Sequence, residues 1–94
     1  MKQELTKNQS NFKNKILNEL KPELQWVNDC INIRIDFKDE EQFHIHIIED
    51  DICHLHVRGI LCDDGSLLTI KSIRNNSVSQ DTFNTTMDFL NDLF

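Results

Sequence analysis

Ninety-four residues with a net charge of −6 at neutral pH, 38% hydrophobic and 28% charged, describe one folded domain with a modest core. They argue against a two-lobed enzyme with a deep cleft and against a disordered chain. They also argue against a protein that grips nucleic-acid phosphates, for which a basic patch is expected.

A helix is predicted up to Lys21, preceded by a flexible lead-in over residues 1–9. Phe12, Ile16 and Leu20 recur every four residues, and Leu17 widens the stripe. Thr6 or Ser10 serves as its cap, and Pro22 is expected to stop it. Residues 23–29 follow neither a helical nor a strand period. There Leu24, Trp26 and Val27 are expected to anchor a connection to the core.

From Cys30 the period falls to two. Ile31, Ile33, Ile35 and Phe37 alternate with Asn32, Arg34 and Asp36, the pattern of a half-buried strand. A second strand over residues 42–48 puts Phe43, Ile45 and Ile47 on one face, and a third puts Cys53, Leu55 and Val57 there. Asp64-Gly65 is a hairpin signal ahead of a fourth strand over residues 67–73. Phe37 opposite Phe43, Ile48 opposite Ile52, and Leu61 opposite Leu68 place one apolar set on one side. A final helix follows, capped by Ser77 or Ser79, with Phe83, Met87, Leu90 and Phe94 as its stripe. The fold class is α+β: an N-terminal helix, a four-stranded antiparallel meander and a C-terminal helix, with both helices on one face of the sheet. The whole chain is read as a single domain.

The same registers put all four histidines on the other face. His44 is expected opposite His56 and His46 opposite His54, with Arg34 beside His46 and Asp36 beside His44. Two H-x-H pairs on adjacent strands are a zinc-ligand pattern, and a water completing such a site would open metal-assisted hydrolysis. A flat sheet face holds no substrate, so an enzyme is not the preferred reading. Clustered imidazoles also resist joint protonation, which allows pH-controlled release of a partner. By parity Ile48, Ile52, Ile60, Cys62, Leu67 and Ile73 join this face and give it an apolar rim suited to contact.

Two hairpin turns fall at one end of the meander, where Asp39, Glu40, Glu41, Asp63 and Asp64 form an acidic end complementary to a basic surface. The Asp63–Ser66 stretch lacks the spacing of an EF-hand. Cys30, Cys53 and Cys62 form no C-x-x-C pair, and Cys53 and His54 alternate to opposite faces, so thiolate catalysis is not expected. Residues 1–5 lack the apolar core of a signal peptide, and no run is long enough to span a membrane, so the cytoplasm is the expected compartment.

The expected function is that of a small acidic protein-binding module, an inhibitor or immunity-type factor of bacterial or phage origin. It would occlude a partner with a basic surface, without contacting nucleic acid or membrane directly. The binding residues are Arg34, His44, His46, His54 and His56 on the face and Asp39, Glu40, Glu41, Asp63 and Asp64 at the end. No catalytic residue and no cofactor are assigned. The alternatives are a zinc protein using His44, His46, His54 and His56, and a homo-oligomer, such as a dimer, with a structural role.

Overall fold

A computed structural model describes residues 5–39, 41–62 and 66–93. The observed order is α1 (Lys7–Lys15), a single π turn (Ile16–Leu20), α2 (Lys21–Val27), β1 (Ile31–Phe37), β2 (Gln42–Glu49), β3 (Cys53–Leu61), β4 (Leu67–Asn76) and α3 (Gln80–Asn91). The strands form one antiparallel sheet in the order β1-β2-β3-β4.

Thr6 caps α1: its side chain accepts from the Gln9 amide while the Gln9 side chain returns to the Thr6 N–H. Gln9 is itself buried and donates to the Asp39 carbonyl, so the lead-in expected over residues 1–9 does not reach the helix start. Pro22 does not end the helix. The Lys21 N–H bonds five residues back to Ile16 O, and this widened turn directly precedes the proline. It absorbs the missing donor and the bulk of the ring. The wider turn also takes more residues per revolution. That holds Phe12, Ile16, Leu20 and Leu24, four residues apart, on one buried stripe, where an unbroken α-helix would drift by about 40° per step. Residues 23–27 are thus helical. Leu24 is buried as expected, but Trp26 and Val27 are exposed.

The inner face of the sheet supplies Ile31, Ile35, Phe43, Ile45, Ile47, Leu55, Val57, Leu61 and Leu67, which pack against the helical stripe and against Val78 and Leu90. The β1–β2 register is the expected one, with Phe37 opposite Phe43. The β2–β3 register is displaced by two residues: Glu49 pairs with Cys53, Ile47 with Leu55, Ile45 with Val57 and Phe43 with Gly59. The corner moves because Asp50 and Asp51 both adopt left-handed backbone, φ 57° and 65°, and Ile52 N closes on Glu49 O. That is a turn with two positive-φ centres, which aspartate tolerates. A two-residue displacement keeps every side chain on its face.

In β4, Gly59 opposes Ile70 as expected, but Leu61 meets Leu67. The register shifts twice, leaving Leu68 and Lys71 as extra residues in the strand. Each shift reverses parity. Leu67 therefore lies buried on the inner face, and Ile73 shares the side of its partner Val57; neither joins the histidines.

At the C-terminus Ser79, not Ser77, caps α3 by accepting from Thr82 N. The fully covered residues of α3 are Thr82, Thr86 and Leu90, while Phe83, Met87, Phe89 and Leu93 pack along the edges of that stripe. Phe94, Glu40, Asp63, Asp64 and Gly65 lie outside the described residues. The buried threonines are satisfied. Thr86 Oγ1 donates to Thr82 O, and Thr82 Oγ1 donates to Glu49 Oε2 at 2.6 Å. Glu49 is 3% exposed. It also accepts from Ser79 N at 2.7 Å, from Ser79 Oγ at 3.1 Å and from Asn28 Nδ2. A carboxylate at the first turn of α3 meets the positive end of that helix.

Two predictions follow from this packing. A methyl group on Gly59 would sit 2.6 Å from both Phe43 Cζ and Thr69 O. Gly59→Ala should thus lower the unfolding free energy by ~1–3 kcal/mol in urea titrations. Burial favours the neutral form of Glu49, but the bonds from Thr82, Ser79 and Asn28 outweigh it and hold the carboxyl below its ordinary 4.5. Its stabilising effect is then complete above 4.5 and disappears as pH falls through the lowered folded value. Glu49→Ala should cost about 2–3 kcal/mol at pH 7, and the deficit should shrink in acid-unfolding curves below pH 4.

Candidate functional site

The outer face of the sheet is built by alternation along β1, β2 and β3, and by the shifted register along β4. Parity and register give it Asn32, Arg34 and Asp36 from β1, then Gln42, His44, His46 and Ile48 from β2. β3 adds His54, His56, Arg58 and Ile60, and β4 adds Thr69, Ser72, Arg74 and Asn76. The helices occupy the opposite side, which leaves this face uncovered. Arg34 lies opposite His46, and Asp36 lies opposite His44, as expected from the sequence.

All four histidines converge. The displaced register makes His46 the direct partner of His56, and places Arg58 across from His44 and Ile48 across from His54. The two pairs expected to be directly opposed occur as diagonal contacts. His44 Nδ1 is 3.0 Å from His56 Nε2, and His46 Nδ1 is 3.3 Å from His54 Nε2. Diagonal neighbours across antiparallel strands are within reach of long side chains, and sheet twist brings one diagonal closer. The rings stack almost parallel, with centroids 4.4 Å apart for His46–His56, 5.2 Å for His44–His56 and 5.4 Å for His46–His54. One ring nitrogen from each of His44, His46 and His56 lies within 4.8 Å of the other two. His54 stands beside this trio as the contact of His46.

Electrostatics favour neutral imidazoles at the centre. Burial lowers the pKa of His46, reinforced by His56, Arg34 and His54, and Asp36 opposes the shift. Burial likewise lowers that of His56, reinforced by His44, His54, Arg58 and Arg74. Asp36 Oδ2 accepts from Arg34 Nε at 3.1 Å and sits 3.8 Å from His46 Nε2. Arg58 Nε is buried with no hydrogen-bond partner among the described residues.

The acidic end is less of a site. Asp39 and Glu41 are exposed near the start of the β3–β4 connection, where Leu61 N donates to Glu41 O. The Asp39 carboxylate is engaged in building its own turn. It accepts from the amides of Glu41 and Gln42 and from the Gln42 side chain. The Gln42 and Glu41 amides hold its pKa below the ordinary carboxylate value. Glu40, Asp63 and Asp64, the other residues expected at this end, lie outside the described residues. Sequence analysis did not single out Glu49; its parity with Phe43, Ile45 and Ile47 was the available signal.

The fold is α+β and the site is a histidine cluster on an open sheet. Comparison with protein families, with curated proteins and with solved structures finds no match for the chain. None of the described helices is long and apolar enough to cross a membrane.

The lowered values of His46 and His56 have a checkable consequence. A histidine whose folded pKa lies below its unfolded value of 6.5 binds fewer protons folded than unfolded between those two values. Its contribution to stability is therefore complete above pH 6.5 and lost as pH falls from there toward the folded pKa. Proton NMR titration should place the imidazole midpoints of His46 and His56 below 6.5. Midpoints at or above that value would contradict the desolvated, mutually repelling arrangement.

Proposed function

We propose that this protein is a metal-binding module that takes up a divalent transition ion of the zinc class through His44, His46 and His56. The observation that carries this reading is the mutual approach of three imidazole nitrogens to within 4.8 Å, on two neighbouring strands. A tetrahedral ion with bonds of ~2.0–2.1 Å needs donor atoms about 3.3–3.4 Å apart; within the trio His44 and His56 already stand at 3.0 Å, and the neighbouring His54 stands 3.3 Å from His46. The donors project from hydrogen-bonded strands, so their backbone positions are set before an ion arrives. Metal binding requires neutral imidazole, and the lowered pKa values of His46 and His56 support that state at neutral pH. Asp36 is the carboxylate placed to orient His46, and His54 is the nearest additional nitrogen.

The same face supports a second reading, occlusion of a partner protein in the manner of an inhibitor. Ile48, across from His54, and Ile60, across from Gln42, are half-buried on this face with no helix above them. The charge of the face then selects an acidic partner surface rather than a basic one. Arg34, Arg58 and Arg74 stand there against the single carboxylate of Asp36.

Zinc titration by calorimetry on untagged, chelator-free protein tests the first reading. One ion per chain is expected, with binding abolished in His46→Ala and reduced less in His54→Ala. Zinc at a hundredfold excess over its Kd should raise the unfolding free energy of the wild type by about 2.7 kcal/mol and leave that of His46→Ala unchanged. Equal zinc affinity in the wild type and His46→Ala would overturn the proposal.

A further inference from the structure

The helical layer carries a second surface that the histidine cluster does not use. Helix α2 buries Leu24 completely yet leaves Trp26 92% exposed, and Trp26 is the only tryptophan of the chain. Tryptophan is highly buried on average, so an indole left almost wholly to water is unusual. It borders an open groove between α2 and α3 of about 630 Å3, with Val27 and Phe89 as apolar walls. Three carboxylates, Glu23, Asp88 and Asp92, line the same groove, and among the described residues no basic one does. None of the three forms an ion pair with another described residue.

We infer that this groove docks a basic protein segment, with an arginine of that segment stacked on Trp26 and held by the carboxylates of Glu23, Asp88 and Asp92. Charge complementarity selects the occupant. An acidic segment would meet three unpaired carboxylates on a molecule of net charge −6, whereas a basic one neutralises them. Tryptophan is the best aromatic acceptor for a cation over its face. The guanidinium is planar, weakly hydrated and able to stack and form forked bonds to carboxylates at once. The methylene stem of the same side chain matches the apolar walls of Val27 and Phe89. The groove does not include the histidine face, so this inference stands whether or not a metal binds there.

Because Trp26 is the sole tryptophan and tyrosine is absent, the emission of the full chain reports on this groove alone. The probe is a hexa-arginine peptide titrated into the protein at low ionic strength, with chelator present. A saturable emission change is expected, weakened by salt, with hexa-lysine binding several-fold less tightly. Asp88→Asn with Asp92→Asn should weaken binding at least fivefold. Asp50→Asn with Asp51→Asn changes net charge equally at the β2–β3 turn, outside the groove lining; it keeps the Oδ1 that accepts from Asn28 and should leave binding within twofold. Calorimetry on Trp26→Ala should show a loss of about 2–5-fold, and His46→Ala should bind as the wild type does. Equal weakening by the two double variants would mean diffuse charge attraction and overturn the inference, as would the absence of a saturable change. A dimer in the absence of peptide that Trp26→Ala dissolves would also overturn it, since the groove would then hold a second copy.

Discussion

The corner at Glu49 is the constraint on which the rest of the molecule depends. Two consecutive aspartates with positive φ close the β2–β3 hairpin there, and the closure sets which residues of β3 face which residues of β2. The same corner turns the Glu49 carboxylate inward to the first turn of α3, where Ser79 and Thr82 bind it. One turn thus fixes the register of the two central strands and the docking point of the last helix. A slip of one residue would exchange the two faces and expose the core. A slip of two would keep the faces but carry Glu49 out of reach of Ser79 and replace Gly59 beneath the Phe43 ring with a bulkier neighbour. Local turn chemistry, helix capping and core packing therefore agree on a single register, the kind of consistency across levels that specifies one structure.

Most of the fold was legible because it rests on short-range periodicity. The alternation of Ile31 to Phe37 and of Phe43 to Ile47 located β1 and β2, and their mutual register followed from Phe37 meeting Phe43. What failed depended on features that periodicity does not carry. Pro22 reads as a stop, and only the neighbouring π turn makes it tolerable; the strict four-residue spacing of Phe12, Ile16, Leu20 and Leu24 was the trace of that turn in the sequence. Extra residues in β4 reversed the parity of Leu67 and Ile73, because bulges change the count without changing the composition. Phe83 and Met87 suggested an all-apolar stripe on α3, whereas its centre is Thr82 and Thr86, the first made compatible with burial by a glutamate thirty-three residues earlier in the chain and the second by the Thr82 carbonyl.

The histidine cluster was legible for the same reason as the strands. H-x-H on two adjacent strands places four imidazoles on one face in any register of the right parity, so convergence survived the two-residue displacement. The pairing did not, since it depends on where the corner closes. The direct partners His46 and His56 and the diagonal contacts of His44 with His56 and His46 with His54 are products of the observed register together with sheet twist. Charge is distributed unevenly around this acidic molecule. Three arginines and four histidines share the outer sheet face, while carboxylates line the groove in the helical layer. The two surfaces thus carry charge of opposite sign.

The measurement that tests this account most directly is the β2–β3 alignment in solution, read from cross-strand nuclear Overhauser contacts of backbone protons. The structure predicts contacts aligning His46 with His56, Ile47 with Leu55 and Glu49 with Cys53. Contacts aligning His46 with His54 and Ile47 with Cys53 would contradict it, moving the corner to Ile48 and dissolving both the Glu49 cap and the observed arrangement of the histidines.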